Sequence, residues 1–337
     1  MFHFISKLFQ SNSQPLIPQQ SNNNDLNDNL AKKYKSLPTI DDVTTIDEVK
    51  ELIKQYDLDN YLDALLGQIK SEIIIRLDKE GRGRIGSSRL GGYPDLPMGM
   101  DWPKGDWNRP LSFVAQINLE ELRDIQIDIN FPRYGILYFF AEYGNEDFGT
   151  KKSHSKKFRV IYTNDPKNTS PFYPNSNQDK HFQIFKEYSV NFRTKHGLPS
   201  SSSDFIFNLF AEKHNDHNRY ELMVPRGKNN YHKMFGHPSV LQSDIEEICE
   251  AIYRGYDYDN DLLWRSFNYH DKYDQELVNS IESEAKNWIL LLQVDSDPRL
   301  NINWSDNSGR TFYCIRRQDL EKGDFSHVWC VQQPLFY

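Results

Sequence analysis

The stretch EGRGRIGSSRLGGYPDLPMGMDWP, residues 80–103, decides between two fold classes. Gly81, Gly83 and Gly86 spell G-x-G-x-x-G behind a strand-like run, Ser71 to Leu77. A dinucleotide cradle needs its third glycine to open a helix whose N-terminal amides hold the pyrophosphate. Here Gly91, Gly92, Pro94, Pro97, Gly99 and Pro103 follow, and together they forbid a regular helix. Seven of the 17 glycines lie between 81 and 105, so the stretch reads as an ordered loop with several special backbone positions. A doubly wound nucleotide fold is excluded.

Working outward, residues 1–30 carry a Ser-, Asn-, Gln- and Pro-rich run with too little apolar surface to offset its ordering entropy, and are expected to be a disordered polar tail. Thr45 and Glu48 spell a capping box ahead of Ile46, Val49, Leu52 and Ile53 on one helical face, which predicts a helical hairpin over 45–69. Apolar and β-branched runs predict strands at 71–77, 111–118, 134–141, 157–163 and 183–192, then at 288–295, 309–316 and 328–333. Ser243 and Glu246 predict a further cap and a helix to Tyr253; Gln275 to Asn287 reads as another helix. Strands and helices do not alternate as βαβ units, so the expected class is α+β, mainly antiparallel sheets with flanking helices.

LSFVAQIN (111–118) and WILLLQVD (288–295) align, with Gln116 over Gln293 and Asn118 over Asp295. Upstream, Gly92-Tyr93-Pro94 matches Gly236-His237-Pro238; downstream, ILYFFA behind Gly135 matches RTFYCI behind Gly309. This suggests an internal duplication: half-units at about 71–192 and about 231–337, joined by a mixed linker at about 193–230, within one domain over 31–337.

The net charge of −8 gives no global case for nucleic acid or an anionic membrane, and no run is long and apolar enough for a membrane span. The basic cluster of Lys151, Lys152, Lys156, Lys157 and Arg159 reads as a solvated loop. Cys249, Cys314 and Cys330 are odd in number and far apart, which fits reduced thiols in the cytoplasm. His214 and His217 lack the H-E-x-x-H context of a zinc hydrolase; Asp295-Ser296-Asp297 lacks the remaining ligands of a calcium loop; Cys330 beside His327 reads as a strand cysteine. No metal, cofactor or catalytic set is expected.

Gln116 and Gln293 are the sharper signal, because a carboxamide inside an apolar strand is costly unless paired. Either each ties its strand to a neighbouring loop, or the two line a shared cleft with Arg89, Trp102, Asp295, Asp297 and Trp304 nearby. A second candidate surface is the aromatic, acidic run 253–274, whose Tyr256, Trp264 and Arg265 are the residue types that anchor protein interfaces.

SSRLGGYPDLPMGMDWP, PLSFVAQINLEEL, FPRYGILYFF, FGHPSVLQSD and WILLLQVDSD with NWSDNSGRTFYCIRRQDLEKGDFSHVWCVQQ together resemble the YwqG-like family of bacterial proteins, over roughly residues 70–337. That resemblance implies a cytosolic α+β protein of unknown function and supplies no catalytic residues. It also implies a role as an immunity protein, since members have been proposed to neutralise toxins. Two functions therefore stand as expectations. One is a non-catalytic protein-binding module whose partner is another protein, such as a basic toxin. The other is an enzyme or small-ligand protein with its site between the half-units.

Overall fold

The computed structural model describes residues 32–144, 148–174, 182–225, 231–258, 275–304 and 309–334. The polar tail expected over 1–30, and Trp264 and Arg265, lie outside the described residues. The chain divides into Met1–Leu37 and Pro38–Tyr337. In the first unit the described part is a short helical stretch closed by a Leu37 N–H to Tyr34 carbonyl bond.

The second unit begins with α1 (Ile46–Gln55) and α2 (Leu62–Leu66), the expected hairpin. Thr45 Oγ1 accepts the Glu48 N–H at 3.2 Å while Glu48 Oε2 accepts the Thr45 N–H at 2.8 Å, the reciprocal cap its spacing implied. The strands are β1 (Lys70–Glu80), β2 (Arg89–Leu90), β3 (Asp95–Pro97), β4 (Ser112–Asn118), β5 (Ile136–Ala141), β6 (Phe158–Thr163), β7 (Thr169–Pro171), β8 (Tyr188–Gly197), β9 (His232–Phe235), β10 (Trp288–Asp295), β11 (Arg310–Arg316) and β12 (Trp329–Gln333). Later helices are α3 (Asp204–Leu209), α4 (His214–Met223), α5 (Ile245–Tyr253), α6 (Gln275–Ala285) and α7 (Arg317–Lys322). Asp244, not Ser243, is the N-cap of α5 and makes no side-chain cap bond.

Ten strands form one antiparallel sheet in the order β12-β11-β10-β9-β1-β8-β2-β4-β5-β6, with β3 and β7 as a separate ribbon. The sheet curls until its ends approach. Phe139 on β5 meets Tyr313 on β11 at 5.0 Å between ring centroids, although six strands separate them in the sheet order. At the closing edges Gln332 N–H donates to the Phe148 carbonyl at 2.9 Å and Trp329 Nε1 donates to Gly149 at 2.7 Å. The interior is apolar, from Ile73 and Val114 to Leu292 and Cys330, and each large side chain so buried contributes about 1.5–3 kcal/mol.

One expectation is thereby corrected. The chain is not an α+β fold of flanked sheets, because the apolar runs join into one nearly closed barrel-like sheet and the helices are short, α6 being 11 residues. Pro38–Tyr337 is one unit, and β1 and β8 pair from Lys70↔Gly197 to Glu80↔Tyr188 across the middle of the sheet. The strand expected at 183–192 begins later, at Tyr188, since Phe185 and Lys186 are taken up by bonds to Gly92 and Leu300. Among the described residues no helix is long and apolar enough to cross a membrane.

Candidate functional site

Arg89 and Gln116 are paired across β2 and β4, and both are fully buried. Between them stands Asp95, delivered by the Gly-Tyr-Pro turn. Gln116 Oε1 accepts the Asp95 N–H at 2.7 Å, while its Nε2 donates to the Ser87 carbonyl at 2.9 Å and to Asp95 Oδ2 at 3.1 Å. Arg89 donates to Asp95 Oδ2 at 2.5 Å and to Glu187 Oε1 at 3.1 Å, and Arg82 donates to the other Asp95 oxygen. Burial raises the Glu187 carboxyl in spite of Arg89 and Arg82. The turn demands glycine: Gly92 has φ +71°, and an added Cβ would sit 2.6 Å from the Glu187 side chain. The G-x-G-x-x-G stretch thus holds a carboxylate, with Gly86 N–H donating to Asp95 Oδ2 at 2.8 Å, and no phosphate cradle is formed.

Gln293 and Asp295 on β10 make a second network. Gln293 Oε1 accepts the Ser239 N–H at 2.9 Å, just past the Gly-His-Pro turn, and its Nε2 donates to Asp295 Oδ1 at 2.8 Å. Arg310 Nε donates to Asp295 Oδ2 at 3.1 Å and its guanidinium reaches the Ser239 carbonyl at 2.6 Å. Asp295 N–H donates to His232 Nδ1, which leaves Nε2 to donate to Asp297 Oδ2 at 3.1 Å. Burial tends to raise the Asp297 carboxyl, but His232 and Arg299 outweigh it and hold the group below its usual range. Gln116 lies on β4 and Gln293 on β10, with β2, β8, β1 and β9 between them in the sheet order. Each ties its own strand to a turn.

The remaining candidates are also held by the fold. Trp102 donates Nε1 to Leu111 at 2.8 Å and packs on Phe140; Trp304 packs on Phe185 and Tyr143. Tyr256 is half-buried against the α5 cluster.

Sequence reasoning missed a third network at the centre of the sheet. Glu72 on β1 accepts from Lys233 Nζ at 2.8 Å and Tyr231 Oη at 2.7 Å, with Lys195 Nζ at 3.5 Å. Burial raises the Glu72 carboxyl and the two ammonium groups bring it below its ordinary value. A small cavity of about 50 Å³ adjoins it.

The roomier space is an acidic cleft of about 590 Å³ beside α5. Among the described residues, Asp204, Asp244, Glu246, Glu247 and Glu282 line it against Lys70 and Lys286. One carboxylate oxygen each from Asp204, Asp244 and Glu247 lie within 4.8 Å of one another, the arrangement here that could hold a cation. Burial raises the Asp244 carboxyl well above its usual value, and Glu246, Asp204 and Glu247 add to the effect; burial also raises Glu246, which Lys70 partly offsets. Ser203, 8% exposed and lining the same cleft, has a buried Oγ with no hydrogen-bond partner among the described residues. His237, from the second turn, borders the cleft and is kept neutral by burial, its Nε2 2.6 Å from the Gln68 carbonyl. The acid run IEEICE was visible in the sequence, but Asp204 and Asp244 meet only through a long-range contact.

No curated protein matches the chain. Residues 88–333 match the family described as a domain of unknown function, DUF1963, a span that contains both glutamines, Asp95, Asp295 and the acids of the cleft. The match covers more than half of the sequence, and the chain belongs to that family.

Proposed function

We propose that the chain is a non-catalytic protein-binding module whose acidic cleft receives basic side chains of a partner protein. Within a YwqG-like grouping, the partner we favour is a toxin, and the chain acts as its cytoplasmic immunity protein. The reading is carried by one observation: Asp244 and Glu246 are carboxyl groups in an open cleft, both shifted upward by burial, with Glu246, Asp204 and Glu247 adding to the effect on Asp244. A guanidinium or ammonium from a partner would relieve that repulsion and satisfy the Ser203 hydroxyl. By contrast, Arg89, Gln116, Gln293, Asp295 and Asp297 hydrogen-bond within the fold, and the proposal places no reaction on them. The buried free thiols of Cys249, Cys314 and Cys330 suit a reducing compartment.

The test is co-purification of the full chain with the protein encoded by the adjoining gene, together with protection of growth when both are expressed. Retention and protection are expected for the native chain, with loss of both in the Asp244→Asn/Glu246→Gln variant. If the neighbour neither binds nor is neutralised, the immunity reading fails; if it binds the variant equally well, the cleft is the wrong surface.

A further inference from the structure

We propose a second, independent binding site: the open seam of the barrel takes a small amphiphilic anion, an apolar aromatic or acyl body bearing a carboxylate, phosphate or sulfonate. β6 and β12 are the end strands of the sheet, and Phe148 and Gly149 bond to Gln332 and Trp329 of β12. Residues of both end strands line a cleft of about 700 Å³, within the range of small-molecule sites. Its floor is aromatic. Phe158 and Trp329 meet edge to face at 5.1 Å, Tyr253 and Trp288 at 6.2 Å, and Phe325 adds a further ring.

The rim is basic. Lys152, Lys156, Arg159 and His327 line the cleft, and none of the described residues lining it is acidic. In a chain of net charge −8 this is a local reversal of sign, and low-dielectric aromatic walls focus such a field. Acids flank the rim without lining it: Asp319 and Asp324 lie 3.8 Å from His327 Nδ1, Asp257 accepts the Lys152 backbone N–H at 2.9 Å, and Glu250 accepts from Trp288 Nε1 at 2.8 Å. Lys156 and Arg159 are exposed and carry no ion pair among the described residues. The cluster that reads as a solvated loop in the sequence therefore stands over an aromatic floor. Acids are absent from this lining and concentrated in the other cleft, so the two sites select opposite charges. Trp288 lines both clefts and separates them.

The test uses the full chain and anilinonaphthalenesulfonate, an aromatic sulfonate whose emission reports energy transfer from tryptophan. One saturable site per chain is expected. In Lys156→Glu/Arg159→Glu, with an unchanged near-ultraviolet spectrum, affinity should fall by about tenfold or more, and neutral phenylnaphthylamine should bind comparably weakly. Displacement by decanoate would assign an acyl carboxylate; displacement by adenosine monophosphate would assign a nucleotide. Absence of a saturable site, equal binding by the charge-reversed variant or the neutral probe, or displacement by neither anion would overturn the proposal. Asp244→Asn should leave this binding unchanged, so failure here is separable from failure of the acidic cleft.

Discussion

Gln116→Ala should be one of the most damaging single changes in the chain, although it touches no cleft. The side chain is fully buried and makes three hydrogen bonds, to the Asp95 N–H, the Ser87 carbonyl and Asp95 Oδ2. Removing it orphans the buried Asp95 N–H at about 1–3 kcal/mol and leaves the Ser87 carbonyl a 3.4 Å bond from Arg89; with about 1 kcal/mol for the cavity the loss is roughly 2–4 kcal/mol in all. Against a total stability of about 5–15 kcal/mol, a loss in that range lowers the urea midpoint by roughly 1 M or more. Urea unfolding followed by tryptophan fluorescence measures it. Gln116→Glu sharpens the test, because a carboxylate replaces the donor that lies 3.1 Å from Asp95 Oδ2. Such a carboxyl is raised in the folded state, so its penalty is small below the ordinary glutamate value near 4.3 and grows as pH rises through it. The reasoning is refuted if the alanine variant unfolds within about 0.5 kcal/mol of the native chain, the range of an unengaged surface position.

Three further outcomes follow from the same contacts. Glu72→Gln leaves Lys233 and Lys195 buried beside a neutral group and should cost about 3–5 kcal/mol in thermal unfolding; the native carboxyl is lowered, so its stabilisation is present above the ordinary glutamate range and fades as pH falls through the folded value. Asp244→Asn should raise the unfolding midpoint at neutral pH, because the native carboxyl is raised and its cost appears as pH rises past the ordinary aspartate range; the difference should shrink in acid, and a constant difference would contradict this. Gly92→Ala should lose about 1–3 kcal/mol from its φ of +71° and more from the approach to Glu187, whereas Gly99→Ala, with nothing within 4 Å, should lose the backbone part alone.

The strands most legible in the sequence are those buried throughout. β4, β5, β10 and β11 are predominantly apolar or aromatic runs, and their limits differ from the expected ones by two residues at most. β9 was not legible, since HKMF is four residues with two polar side chains; its burial follows from pairing with β1. The barrel itself was hidden for the same reason. Its closure depends on β1 meeting β8 and on β12 approaching β6, contacts between residues more than a hundred apart. Of the site, the glutamines and their turns could be read because a carboxamide in an apolar strand needs a partner. Glu72, Lys195 and Lys233 could not, because each alone reads as a solvated charge. The cleft acids fall between: Glu246 and Glu247 mark one helical turn, but Asp204 and Ser203 join them only in three dimensions.

The most direct test of the acidic cleft as the binding surface is amide hydrogen exchange of the full chain, alone and with the adjoining gene's protein. The account predicts added protection around residues 200–208, 237–247 and 279–286, with no change in the β2–β4 pair that holds Arg89 and Gln116. Protection confined to another face, leaving those three segments unchanged while the partner is bound, would contradict it.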